Sequence, residues 1–111
     1  MRYGRDLNIM RKGYRNTLMR QLREKLSLGL NTFALGAELL SVQSVVEPHE
    51  ADAEARAEMR FAEDTSGNGF VVSLDDGQVA LIYGETGHRL KLGADLRGFV
   101  DALGPDQIPW H

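Results

Sequence analysis

The hydrophobic pattern of this chain changes period near residue 58. Upstream, over residues 8–28, Met10, Tyr14, Leu18, Leu22 and Leu26 recur every four residues and form a slowly drifting apolar stripe, which predicts a helix. Lys12, Asn16, Arg20 and Arg23 fall on its far side. Arg11, Arg15 and Lys25 sit close to the stripe, where their aliphatic stems can lie along it while the charged heads stay in water. Gly29 is placed to stop the helix. Residues 32–35 read as a short strand. Residues 37–46, with Leu39, Leu40, Val42, Val45 and Val46, suit either a short helix or a buried strand. Pro48, with Glu50 in the first turn and alanines at 51, 53, 55 and 57, predicts a second helix lying on the surface.

From Glu58 the period is two. Met59 and Phe61 alternate with Arg60 and Ala62, and residues 64–69 (DTSGNG) are a dense turn signal. Phe70, Val72 and Leu74 then point one way, Val71 and Ser73 the other. Asp75-Asp76-Gly77-Gln78 reads as a hairpin turn. Val79, Leu81 and Tyr83 alternate with Ala80 and Ile82. A second glycine-flanked turn, residues 84–87, leads to His88, Leu90 and Leu92 alternating with Arg89 and Lys91. Asp95 is placed to cap a last helix whose apolar face is Leu96, Phe99, Val100 and Leu103, closed by Gly104 and Pro105. The expected architecture is α+β. An antiparallel sheet of about four strands, with its meander in residues 58–92, carries an N-terminal and a C-terminal helix packed on it. One domain is expected over residues 1–111: a basic helix in 1–29, an α+β core in 30–104, and a loose tail in 105–111 unless Trp110 docks back.

Composition narrows the setting. A chain of 111 residues buries about two-thirds of its unfolded surface, enough for one core. Without cysteine it has no disulfide framework and no thiolate metal site, which fits a reducing compartment. The first residues lack the apolar stretch of a secretory signal, and no apolar run approaches the roughly 18 residues of a membrane span. A cytoplasmic location is expected. Charge is unevenly spread. Residues 1–26 hold eight basic and two acidic side chains, whereas residues 27–111 hold five basic and fourteen acidic ones. That asymmetry points to a charged partner or to docking of one part on the other.

Candidate chemistry is sparse. His49, His88 and His111 neighbour no nucleophile motif, and neither a phosphate-binding loop nor a zinc-protease helix occurs. No enzyme activity, cofactor or metal is expected. Asp64, Ser66, Asn68, Gly69 and Asp75 match positions 1, 3, 5, 6 and 12 of a calcium-binding EF-hand loop. The short Asp at the twelfth position and the strand-like flanks argue against it. Nucleic acid is a possible partner of residues 2–25, with Lys12, Arg20 and Arg23 as the phosphate contacts. The apolar stripe of the same helix also suits pairing with a second copy of the chain.

A family resemblance adds to this. Phe61-Ala62 in a strand, the turn ending Ser66-Gly67-Asn68-Gly69, Ser73-Leu74-Asp75, the Asp76-Gly77-Gln78-Val79 turn, an aromatic-ended strand at Tyr83, and a helix through Leu96-Arg97-Gly98-Phe99-Val100 follow in this order. The order resembles the C-terminal half of the SUKH superfamily, the Smi/Knr-like proteins. Residues 37–47 are similar to the family's short element before the sheet. The resemblance extends over residues 31–104 and is strongest in 61–103. It implies a strongly bent antiparallel sheet flanked by helices, and a protein-binding role. Many bacterial members are immunity proteins that neutralise a toxin. On that reading the mechanism is occlusion of a basic active site by an acidic surface. Glu63, Asp64, Asp75, Asp76 and Glu85, at or beside turns, are the candidate contact residues. Two other readings are a small nucleic-acid-associated regulator acting through the basic helix, and a phage- or plasmid-encoded inhibitor of a host protein.

Overall fold

A computed structural model describes residues 12–47 and 57–105 of the chain. The four-residue stripe folds as α1, Lys12–Ser27, which ends where Gly29 takes a φ of 78°. Leu18 and Leu22 are fully buried and Met19 nearly so, with Tyr14 and Leu26 packed at the margin. The basic helix is thus part of the core, and its stripe is occupied within its own chain. Residues 8–11 of the expected helix lie outside the described residues.

Of the two readings of residues 37–46, the extended one holds. β1, Leu30–Leu35, turns through Gly36 at φ 59° into β2, Glu38–Ser41, pairing Phe33 with Leu40. Two residues further on lies β3, Ser44–Val45. Between β2 and β3 the chain changes partner: the Val42 amide donates to Asn31 O at 2.8 Å, and the next amide, Gln43, donates to Glu63 O at 2.7 Å. Residues 38–46 therefore form one bent segment that belongs to two sheets, as strands do at the corners of packed sheets. The helix expected to begin at Pro48 falls outside the described residues, apart from Ala57.

The alternating half forms β4, Glu58–Glu63, β5, Gly69–Ser73, β6, Gln78–Ile82, and β7, Arg89–Asp95. With β3 they make a five-stranded sheet in the order β3-β4-β5-β6-β7, every pair antiparallel. Its inner face carries Phe70, Val72, Val79 and Leu81, as the alternation predicts. One position departs from it. Ala62 was expected opposite Phe61, yet both have no exposed surface, because the β4–β5 register shifts between Arg60 and Ala62. Such a bulge adds one residue to a strand and brings two consecutive side chains to the same side.

Asp95 caps α2, Leu96–Ala102, its Oδ1 accepting from the Gly98 amide at 2.7 Å. Leu96, Phe99 and Val100 are buried, and the Phe99 ring lies 5.1, 5.6 and 5.3 Å from those of Phe33, Phe61 and Phe70. One aromatic side chain of α2 therefore joins β1, β4 and β5. Gly104 and Pro105 end the helix and pair with β1 as β8, completing a second sheet in the order β2-β1-β8. The class is α+β as expected, with the strands divided between a five-stranded and a three-stranded sheet. Residues 106–111, including Trp110, lie outside the described residues.

Two contacts set α1 beside α2. The Arg97 guanidinium sits 5.8 Å from the Tyr14 ring centroid, near the start of both helices. Near their ends, Lys25 Nζ donates to the main-chain oxygens of Val100, Asp101 and Leu103 at 2.8, 2.9 and 3.0 Å. Val100 O also accepts from the Leu103 amide at 3.3 Å, and the ammonium adds donors at a helix end where carbonyls run short of them and opposes the negative end of the dipole.

Candidate functional site

The meander puts its turns at alternate ends of the sheet, and this decides where the candidate acidic residues sit. The β4–β5 and β6–β7 turns share one end and the β5–β6 turn lies at the other. Glu63, Asp64 and Glu85 therefore fall at one end, Asp75 and Asp76 at the opposite end. The five-residue β5 between them spans about 16 Å. The sequence suggested one acidic rim of five carboxylates. In the fold they form two separate groups, since each hairpin reverses the chain.

The first end is tightly built. Asp64 Oδ1 accepts from the amides of Ser66 and Asn68, both at 2.9 Å, and its Oδ2 accepts from Asn68 Nδ2 at 2.9 Å. Asn68 Oδ1 in turn accepts from the Gly84 amide at 2.9 Å, which ties the β4–β5 turn to the β6–β7 turn. Arg60 Nη2 donates to Glu63 Oε2 at 2.7 Å and to Gly67 O at 3.1 Å. Gly69 makes room for that guanidinium, because a Cβ there would come within 2.7 Å of Arg60 Cζ and Nε. Exposed Glu85 lies in the second turn, flanked by Tyr83 and His88, whose rings stack at 5.9 Å.

At the other end Ser73 Oγ accepts from the Asp75 and Asp76 amides at 3.1 and 3.5 Å, and Asp76 Oδ1 accepts from the Gln78 amide at 3.0 Å. Gly77 takes a φ of 74°. Several of the acidic side chains thus close turns, the role their position beside glycine suggests.

The calcium-loop pattern is taken up in the same way. Its first and twelfth residues, Asp64 and Asp75, stand at opposite ends of β5, whereas an EF-hand loop folds them around one ion. Among the described residues no group of three or more His, Asp and Glu side chains is placed to hold a metal ion.

On the basic side, Arg20 is exposed and Arg23 donates to Glu47 Oε1 at 3.2 Å, with both partners largely in water. The Lys12 side chain lies outside the described part of the structure. Exposed Glu24 accompanies Arg20 and Arg23, so the described outer face of α1 carries a smaller positive excess than the sequence of residues 1–26 suggests. Among the described residues no helix is long and apolar enough to cross a membrane.

Asn68, Lys25 and Arg60 organise these surfaces, and the sequence does not mark them for these roles. Asn68 is legible as a turn residue, but its partner Gly84 is sixteen positions away. Lys25 reaches carbonyls seventy-five and more positions away. Neither separation leaves a local signal.

No family model, no curated protein and no solved structure matches this chain.

Proposed function

We propose that this chain is a non-catalytic protein-binding module of the SUKH type, an immunity protein that neutralises a bacterial toxin by binding and occluding its active site. The observation that carries this reading is the ordered cassette of residues 61–103, a meander closed by a capped helix, with acidic side chains on its turns. Supporting it, the two turns that hold Asp64 and Glu85 are joined by the Asn68–Gly84 bond, so the charged end is preorganised. Binding to a rigid surface loses less side-chain and loop freedom. The acidic groups would steer the encounter with a basic catalytic cleft, and that steering weakens with salt.

The test is co-purification of the tagged full chain from its native host. Recovery of one stoichiometric partner with a toxin domain, inactive in the complex and active when released, supports the proposal. Recovery of nucleic acid in place of a protein partner overturns it in favour of a regulator acting through α1. In that case binding should fall about tenfold or more when Arg20 and Arg23 are replaced by alanine, with a steep salt dependence.

A further inference from the structure

A sheet edge exposes a row of unpaired amides and carbonyls, and proteins usually blunt it with charge, proline, irregularity or short length. Among the described residues, three of the four sheet edges are blunted. β7 carries Arg89 and Lys91 and contains Gly93 at φ 71°. β3 is two residues long, and β8 is two residues ending in Pro105. The fourth, β2, has one charge, Glu38 at its start, and contains neither proline nor glycine. Its sequence is Glu-Leu-Leu-Ser, and Leu39 is 46 % exposed.

The bent segment shows which way that edge faces. Successive amides of a strand point to opposite sides. Val42 donates towards β1 and Gln43 towards β4, so β1 and β4 flank residues 38–46 on opposite sides. The same alternation turns the amides of Leu39 and Ser41 towards the β4 side. There β4 stops at Glu63 and the chain turns away. Among the described residues no strand pairs with Leu39 and Ser41 on that side. The slot continues the line of β4 and is about four residues long. Glu38 stands at one end and Glu63–Asp64 at the other, and β1 and β2 contain no basic residue.

We propose that β2 takes up an extended segment of the protein partner by strand addition, and that this segment carries lysine or arginine to meet Glu38 and Asp64. Main-chain bonds to Leu39 and Ser41 supply affinity, and the acidic ends select sequence and direction. This rests on the protein-binding reading above and names the contact within it.

The experiment uses the full chain and a fluorescein-labelled octapeptide of alternating valine and lysine, followed by anisotropy and by amide shifts in NMR. The expected result is binding at least tenfold tighter than that of the valine–glutamate counterpart, with the largest amide shifts at Leu39 and Ser41. Leu39→Pro deletes an outward amide that the β1 ladder does not use, and should weaken binding at least tenfold with unfolding unchanged. Glu38→Lys, which leaves the backbone intact, should weaken it severalfold. Shifts confined to α1, equal binding of the acidic peptide, or a concentration-dependent dimer abolished by Leu39→Pro would each overturn the proposal. If Leu39→Pro captures the native partner undiminished, strand addition fails while the protein-binding reading stands.

Discussion

Lys25 of α1 donates to the main-chain oxygen of Val100 in α2 at 2.8 Å, across seventy-five residues of sequence. The same ammonium serves Asp101 and Leu103, so one side chain completes the end of the last helix and fastens the first helix to it. Lys25→Met keeps the stem and removes the donors. It should cost about 1.5–3 kcal/mol, the range for hydrogen bonds to a charged group, seen as a lower urea midpoint with unchanged slope. A midpoint equal to that of the parent would show that water replaces the ammonium without loss.

Phe99 contacts three other phenylalanines and is fully buried. Phe99→Ala should lose about 3–5 kcal/mol, a large part of the 5–15 kcal/mol that holds a domain of this kind together. Phe99→Leu should lose less and remain folded. Calorimetry of both variants checks the order. A small effect of the alanine change would mean that the core collapses around the gap.

Asn68→Ala removes the link between the two turns at the Glu85 end. The expected loss is about 1–2 kcal/mol, accompanied by faster hydrogen exchange of the Gly84 amide. Asn68→Asp should be worse, because it sets a second carboxylate against Asp64 and removes the Nδ2 donor. If the Gly84 amide exchanges at the parent rate in both variants, the turns are coupled by something else.

Ala57 adopts φ 55°, where a Cβ is strained, and its carbonyl accepts from the Leu74 amide at 2.8 Å. Ala57→Gly should raise stability by about 0.5–1 kcal/mol, since relief of the left-handed strain outweighs the added freedom of the unfolded chain. A lower melting temperature for the glycine variant would contradict this.

Gly69→Ala tests a close approach. The added Cβ meets the Arg60 guanidinium, which must leave Glu63 and Gly67. Because both side chains of this ion pair remain partly in water, the loss should stay below about 1 kcal/mol. In an Arg60→Ala background the same change should be neutral or stabilising, because alanine is better than glycine within a strand. A double-mutant cycle measures the difference, and equal effects in both backgrounds would show that Arg60 does not depend on the space at Gly69.

Much of this structure was legible in local pattern. The four-residue stripe of α1, the alternation of β5 and β6, the glycine-flanked turns and the Asp95 cap all arise from interactions within a few residues, which periodicity and turn chemistry report directly. Tertiary structure decided the rest. Residues 38–41 and 44–45 became strands because β1 and β4 supply their main-chain partners, and no local preference separates a buried strand from a short helix there. Ala62 turned inward because of a register shift against β5. The five acidic candidates divided into two groups because antiparallel strands place successive turns at opposite ends, a property of the pairing that no single turn reveals. Lys25, one basic residue among eight in its segment, acquired its distinct role only when α2 came to rest beside it.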